Sequence, residues 1–232
     1  MKPGRHAAID AREQPAYPLS EAARYLKLPA ATLRSWTLGR PYPTARGRGE
    51  FRPIIRPAQS KPPVLSFWNL VEAHVLRALR SEHGVSVEDV RKAVAYAERT
   101  LKIQRLLLRP ELCSDAGRLF LERYGELINL SASGQLAMHR LLAEHLKRVT
   151  WDAARLPIRL HPFVVADAPD GDMPIAIDPR IAFGRPVVMR QGISTAAIAG
   201  RIDAGESPAD VAADYELTTE DVERAVVYER AA

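Results

Sequence analysis

Apolar residues recur at helical spacing through most of the chain, and short Pro- and Gly-rich breaks punctuate them. Leu19, Ala22, Ala23 and Leu26 stand at i, i+3, i+4 and i+7, which predicts a short helix over residues 20–26. Leu28-Pro29 breaks it, and a second short helix follows from Ala30 to about Leu38, ended by Gly39. Two helices across so tight a turn predict a helix-turn-helix, whose second helix can enter a DNA major groove. Further on, Phe67, Leu70, Val71, His74, Val75, Ala78 and Leu79 form one continuous apolar stripe, predicting a helix over 67–82 ended at Gly84. Ser86-Val87-Glu88-Asp89 has the capping-box pattern and opens a helix over about 86–101, with Val87, Val90, Val94, Ala97 and Leu101 on its buried face.

Between these helices the pattern changes. Residues 40–61 carry Arg40, Arg46, Arg48, Arg52, Arg56 and Lys61 against the single acid Glu50, with Pro41, Pro43, Gly47, Gly49, Pro53 and Pro57 interspersed. That density of Pro and Gly excludes a helix. Phe51 to Arg56 and Val64 to Phe67 are expected as short strands of a basic wing. In the middle of the chain, Leu119–Glu122 and Leu127–Leu130 around Arg123-Tyr124-Gly125-Glu126 predict a β-hairpin. Ser131 to Gly134 is expected as a turn and Leu136 to Val149 as a helix burying Leu141, Leu142 and Leu146. Leu156 to Val165 supplies one or two strands, and residues 166–174 a linker. Three helices close the chain, over 194–204, 207–214 and 218–229. Ser207-Pro208-Ala209-Asp210 and Thr218-Thr219-Glu220-Asp221 are their capping starts, and Val211, Ala212, Tyr215, Leu217, Val222, Ala225 and Val226 are the expected core. So small a unit buries little surface and is expected to pack on the preceding strands or on a second copy of itself.

Charge sharpens this picture. Residues 1–66 hold twelve Lys/Arg and four Asp/Glu, a net of +8, whereas residues 161–232 hold six Lys/Arg and thirteen Asp/Glu, a net of −7. A cationic head attracts nucleic acid and an anionic tail is repelled by it, which points to an adaptor whose tail meets protein. The chain has 232 residues, enough for two small domains. It contains no run of 18 apolar residues and no secretory h-region at its N-terminus, so a cytoplasmic location without membrane contact is the expectation. Cys113 is the single cysteine, and His139 and His145, six apart on a helix, make a poor ligand pair, so no metal or other cofactor is expected.

The candidate chemistry is phosphate and base recognition. Arg40, Arg46, Arg48, Arg52 and Arg56 on the wing suit phosphate, because a guanidinium is a planar multi-donor fork. Thr32, Arg34, Ser35 and Thr37 on the second helix are the candidates for reading base edges. Trp36 reads as core rather than as a stacking platform. Asp167, Asp170, Asp172 and Asp178 fit no metal-loop spacing and read as a solvated acidic loop. No nucleophile elbow, P-loop or zinc-protease motif is present, so an enzyme is not expected.

Two resemblances add to this. Thr32-Leu33-Arg34-Ser35-Trp36, the Phe51-Arg52-Pro53-Ile54 end of the wing, the 67–80 helix and Gly84-Val85-Ser86-Val87-Glu88-Asp89-Val90-Arg91 together resemble the MerR-type winged helix-turn-helix. The wing is longer than usual, and neither a long coiled-coil helix nor a cysteine effector site follows. The segments Ile177-Asp178-Pro179-Arg180-Ile181, Gly184-Arg185-Pro186-Val187-Val188, Gly205-Glu206-Ser207-Pro208, Val211–Tyr215 and Leu217–Val222 are similar to a small bacterial domain once catalogued only as of unknown function. That domain is associated with VapB-type antitoxins; Met189-Arg190-Gln191-Gly192 departs from its usual Arg-Gly-Thr-Arg. The combination resembles the large VapB-type antitoxins. It implies a mainly α protein with short β-hairpins: a MerR-like winged helix-turn-helix over 17–101, a mixed α/β connecting region over 102–165 and a C-terminal trihelical, helix-turn-helix-like domain over 175–230. It implies a homodimer that binds operator DNA, represses its own operon and neutralises a PIN-domain ribonuclease toxin. Arg180, Arg185 and Arg190 become candidates for contact with the toxin's carboxylates, the alternative being pairing with local acids. A stand-alone MerR-like regulator without a toxin is the second reading.

Overall fold

The computed structural model describes residues 10–44, 47–81, 87–113, 120–123, 125–126, 132–163 and 173–231. A short strand β1 (Tyr17–Pro18) leads directly into α1 (Leu19–Leu26), which buries Ala22, Ala23, Tyr25 and Leu26. Lys27 takes a left-handed conformation at φ 52°, Pro29 fixes the entry, and α2 (Ala30–Leu38) follows with Leu33 and Trp36 inside. The wing is a hairpin of β2 (Arg40–Thr44) and β3 (Gly47–Phe51), paired antiparallel from Arg40↔Phe51 to Thr44↔Gly47. This corrects the strand expected over 51–56. Pro53 and Pro57 have no N–H for a ladder. Instead the backbone N–H groups of Ile54 and Ile55 both donate to the Trp36 carbonyl, at 2.8 and 3.0 Å, and Ile55 is buried against α2. β4 (Gln59–Ser60) and β5 (Pro63–Leu65) then return to pair with β1 in the order β1-β5-β4.

The centre of the molecule is α3 (Phe67–Ser81). From Phe67 to Leu79 each residue except the half-buried Arg77 is buried. A helix buried on all faces must be surrounded. α1 and β5 cover one side, while α5 (Ala132–Leu146) and the turn Leu106–Leu108 cover others, with the turn Pro110–Cys113 packed behind them on α5. α4 (Val87–Leu101) packs through Val90, Val94 and Ala97; Ser86 of the expected capping box lies outside the described residues. Residues 120–123 and 125–126 are helical, not the expected hairpin. Phe120 and Leu121 are adjacent and both buried, which a helix permits and a strand, with neighbours on opposite faces, does not. Residues 127–130 lie outside the described residues. α5 takes in Ala132 to Gly134, where a turn was expected, and stops at Leu146, because Val149 already pairs with Leu160 between β6 (Val149–Trp151) and β7 (Pro157–Leu160). Buried side chains from Tyr17 to Ile177 form one cluster, so the 102–165 stretch shares the core of the helix-turn-helix.

The C-terminal unit is a three-stranded sheet of β8 (Ile175–Ala176), β9 (Val187–Val188) and β10 (Ile193–Ser194), in the order β10-β9-β8, with three helices. These are α6 (Thr195–Asp203), α7 (Pro208–Asp214) and α8 (Thr219–Arg230). Both predicted starts form: Ser207 accepts from the Asp210 N–H, and Thr218 and Asp221 make the full reciprocal box. Val188, Ile198, Val211, Ala212, Val222 and Ala225 are the core, joined by Tyr215 and Leu217. The unit packs on the strand before it: Leu160 and Ile177 exchange hydrogen bonds of 3.0 and 2.8 Å.

Within the core, His74 of α3 meets His145 of α5. The His74 Nε2 lies 3.1 Å from the His145 carbonyl, and the rings are 5.3 Å apart. Burial, then the neighbouring His145, push the His74 pKa down to about 3 from 6.5. The native state therefore keeps this imidazole neutral where the unfolded chain protonates it. Its contribution is complete above about pH 6.5 and is lost as the pH falls toward 3. Denaturant titrations are expected to show about 1.4 kcal/mol less stability at pH 5.5 than at 7.5 from this group. A His74→Gln variant should lose less on the same acidification.

Candidate nucleic-acid interface

The helix-turn-helix is held from two sides. The last carbonyls of α1 lack helical partners. Arg77 of α3 donates to the Leu26 carbonyl at 2.7 Å, and the Tyr228 hydroxyl of α8 donates to the Tyr25 carbonyl at 2.8 Å. With α1 fixed, α2 turns Leu33, Trp36 and Thr37 inward. Its outward row is Ala31, Arg34, Ser35 and Leu38, at i, i+3, i+4 and i+7. Arg34 is exposed, while Thr32 and Ser35 are half-buried at the edges of that face. Thr37 is a correction: it is 1 % exposed, and its hydroxyl donates back to the Leu33 carbonyl at 2.9 Å. Being four residues after Leu33, it shares the inward face and cannot reach a base. Trp36 is core, also 1 % exposed.

Gly39, at φ 72°, ends α2 in a conformation that favours glycine and launches the wing. Arg40 opens β2 and is exposed; Arg48 stands opposite Pro43 near the hairpin tip; Arg46, between the strands, lies outside the described residues. Arg52 and Arg56 follow the wing and are exposed. The Arg56 backbone is held by Asn69 of α3, whose amide donates to the Arg56 carbonyl at 3.0 Å while its oxygen accepts from the Ala58 N–H at 3.1 Å. The cations divide into two groups. Arg24 pairs with Glu229 at 2.7 Å, and the Lys27 ammonium sits 4.2 Å from the Tyr228 ring centroid, so both face α8. Arg34, Arg52, Arg56 and Lys61 are exposed, and none of them makes an ion pair with a described residue. The anionic tail thus covers the cations at the end of α1 and leaves Arg34, Arg52 and Arg56 open to solvent.

The three C-terminal arginines differ from one another. Arg180 donates to Asp178 through its backbone N–H at 2.9 Å and its guanidinium at 3.0 and 2.8 Å. Arg190 lies 3.5 Å from Asp221, while Arg185 is exposed and makes no ion pair with a described residue. Asp178 is not part of a solvated loop: it is fully buried, because Arg159 at 3.2 Å and Arg180 compensate its charge. Burial pushes its carboxyl up, but these hydrogen bonds outweigh that and hold it below the usual carboxylate range. Asp167, Asp170 and Asp172 lie outside the described residues. Among the described residues no three His, Cys, Asp or Glu side chains gather to hold a metal ion, and no helix is long and apolar enough to cross a membrane.

A feature that sequence spacing did not reveal is a cleft of about 590 Å³ beneath the segment that follows the wing. Its lining includes Arg56, Glu72, Arg91, Glu98 and Arg105. Glu72 pairs with Arg105 at 3.1 Å, and Arg105 also stacks on Trp68 of α3, its guanidinium 5.1 Å from the ring centroid. Arg56 and Arg105 are far apart in the chain, so no local pattern marks this meeting.

Residues 15–94 match a family described as "Putative DNA-binding HTH domain", and residues 175–228 match one described as "Protein of unknown function (DUF433)". The chain is 30% identical to "Putative antitoxin VapB45" of Mycobacterium tuberculosis over 91% of its own length and 92% of that protein. It belongs to the VapB-type antitoxin family. A second relative of this antitoxin is "Uncharacterized protein Rv2308" of the same organism, 26% identical over 91% of this chain and 89% of that one. A crystal structure of Rv2018 from Mycobacterium tuberculosis superposes with a TM-score of 0.63 at 24% identity, covering 91% of this chain and 97% of the other, which shows the fold.

The antitoxin's two units meet at Gly184. A Cβ there would lie 2.1 Å from the Tyr17 hydroxyl, and the residue has φ 75°. Gly184→Ala is expected to lower stability by about 1–3 kcal/mol, measured by denaturant titration.

Proposed function

We propose that this antitoxin binds operator DNA as a homodimer, represses its own operon and neutralises a PIN-domain ribonuclease toxin by direct contact in the cytoplasm. In this reading residues 17–101 act as a MerR-like winged helix-turn-helix. Arg34 and Ser35, with Thr32 beside them, read base edges. Arg40, Arg46, Arg48, Arg52 and Arg56 hold phosphates and set the register. The observation that carries the reading is the set of exposed cations on α2 and after the wing, Arg34, Arg52 and Arg56, which make no ion pair with a described residue. It stands beside an outward helix face that carries the short side chains Ala31 and Ser35, with Leu38 at its end. The acidic α7–α8 end is unsuited to DNA and leaves the C-terminal unit for protein contact. Arg180, Arg185 and Arg190 are its proposed cations for the toxin.

A stand-alone regulator is the second reading, and the cleft between the segment after the wing and α3–α4 favours it, since a small effector there would touch Arg56 directly. Co-expression with the product of the adjacent reading frame separates the two: stable co-purification and loss of ribonuclease activity support the antitoxin reading, and repeated failure to retain that product leaves the regulator. DNA binding is tested by its salt dependence. Replacing Arg34, Arg52 and Arg56 by Ala is expected to reduce the slope of log K against log salt by about one unit for each phosphate no longer neutralised. Thr37→Ser should leave that slope unchanged. An unaltered slope in the triple variant would remove this face from the interface.

A further inference from the structure

The turn that joins β8 to β9 presents a side chain that the fold itself does not use. Ala182, Phe183 and Gly184 have φ of 47°, 56° and 75°, three left-handed residues in succession. For a bulky aromatic residue that conformation is a genuine outlier. The result is that Phe183 stands 93 % exposed, above the exposure of Val227 and Tyr96, the other large apolar residues exposed among the described residues. Were the turn relaxed into an ordinary conformation, the ring would point elsewhere. The protein instead fixes it outward. The Gly184 N–H donates to the Ile181 carbonyl at 2.9 Å, the Arg185 N–H to the Ala182 carbonyl at 3.1 Å, and the Ile181 N–H to the Asp178 carbonyl at 2.9 Å. Beneath them the buried Asp178 carboxylate holds Arg180 and Arg159. Gly184 lies against Tyr17 of β1, so the base of the turn is seated on the N-terminal unit.

The charge around this ring is not that of the rest of the tail. From residue 179 to 202 the chain carries Arg180, Arg185, Arg190 and Arg201 and no acid, while the acids of the unit begin again at Asp203. Arg180 and Arg185 flank Phe183 within three residues on either side, both exposed, and Arg185 has no ion-pair partner among the described residues. A rigid exposed aromatic bordered by guanidinium groups is the composition of a binding hot spot.

We propose that Phe183 is the anchor by which the C-terminal unit grips its protein partner, entering an apolar pocket whose rim carries carboxylates that meet Arg185 and Arg180. This rests on the toxin-neutralising reading and specifies the surface used: the strained turn, not the acidic helices. Complementarity selects the occupant. A second copy of this chain would bring the same two arginines to its own Phe183 in a symmetric contact, and like charges would face each other.

The test is pull-down and calorimetric titration of the full-length chain with the product of the adjacent reading frame. Phe183→Ala is expected to weaken binding by about 30-fold or more, Phe183→Leu to retain most of it, and Arg185→Glu to weaken it by about tenfold or more. Phe183→Gly removes the ring while suiting the left-handed backbone. It should melt no lower than the parent chain yet bind as poorly as Phe183→Ala, a split that general damage to the fold would not give. If the unaltered chain binds the product and the Phe183 variants bind equally well, the anchor is wrong and the toxin reading stands. If the unaltered chain does not bind at all, both fall. If Phe183→Ala changes only the chain's own oligomeric state, the occupant is a second copy and the proposal is overturned.

Discussion

The described elements of the N-terminal two thirds are arranged around a helix that is buried from Phe67 to Leu79 except at the half-buried Arg77. α3 buries its apolar side chains on every side, and its few polar ones each satisfy a different neighbour. Asn69 holds the segment after the wing, His74 meets α5, Arg77 caps α1, and the Trp68 indole N–H donates to the Pro157 carbonyl of β7 at 3.2 Å. A buried polar group without a partner is costly, so each of these contacts sets where the neighbouring element must lie. α2 and the β2–β3 hairpin are thereby placed indirectly. α3 fixes α1 and the chain at Arg56, while α2 is held between them through Trp36.

The anionic tail has a structural part in this arrangement. Glu229 accepts from Arg24 at 2.7 Å and from the Thr195 hydroxyl at 2.6 Å, and Tyr228 docks on α1 beside Lys27. Opposite charges at the two ends of the chain attract one another as well as outside partners. The contact consumes the cations of α1 and leaves Arg34, Arg52 and Arg56 open, so the tail sorts the basic residues into those that hold the molecule together and those that remain accessible. It also links the turn that carries Phe183 to the helix-turn-helix through Gly184 and Tyr17.

The elements were readable where local chemistry decides them. α1, α2, α3 and the three terminal helices stand close to the expected positions, because a 3.6-residue apolar repeat and a capping side chain act within one or two turns. The basic wing was also evident from Pro and Gly density, although its strands lie earlier than expected. Pro53 and Pro57 forbid a ladder over 51–56, whereas Pro41 and Pro43 are tolerated in an isolated two-stranded hairpin. The first strand of the hairpin expected near 119–130 failed because Phe120 and Leu121 look like strand residues until the core that buries both is known.

By itself, the sequence determined helix positions, the polarity of charge along the chain and the residues suited to phosphate. Tertiary structure alone decided which of them are available. Thr37 is lost to the core and to its own helix backbone, Arg24 and Lys27 are turned to the tail, Asp178 is buried beneath arginines, and Phe183 is forced into solvent. The physical reason is distance along the chain: repeats and caps are interactions between near neighbours, whereas exposure is set by contacts between residues as far apart as Arg24 and Glu229. No local pattern records such a meeting.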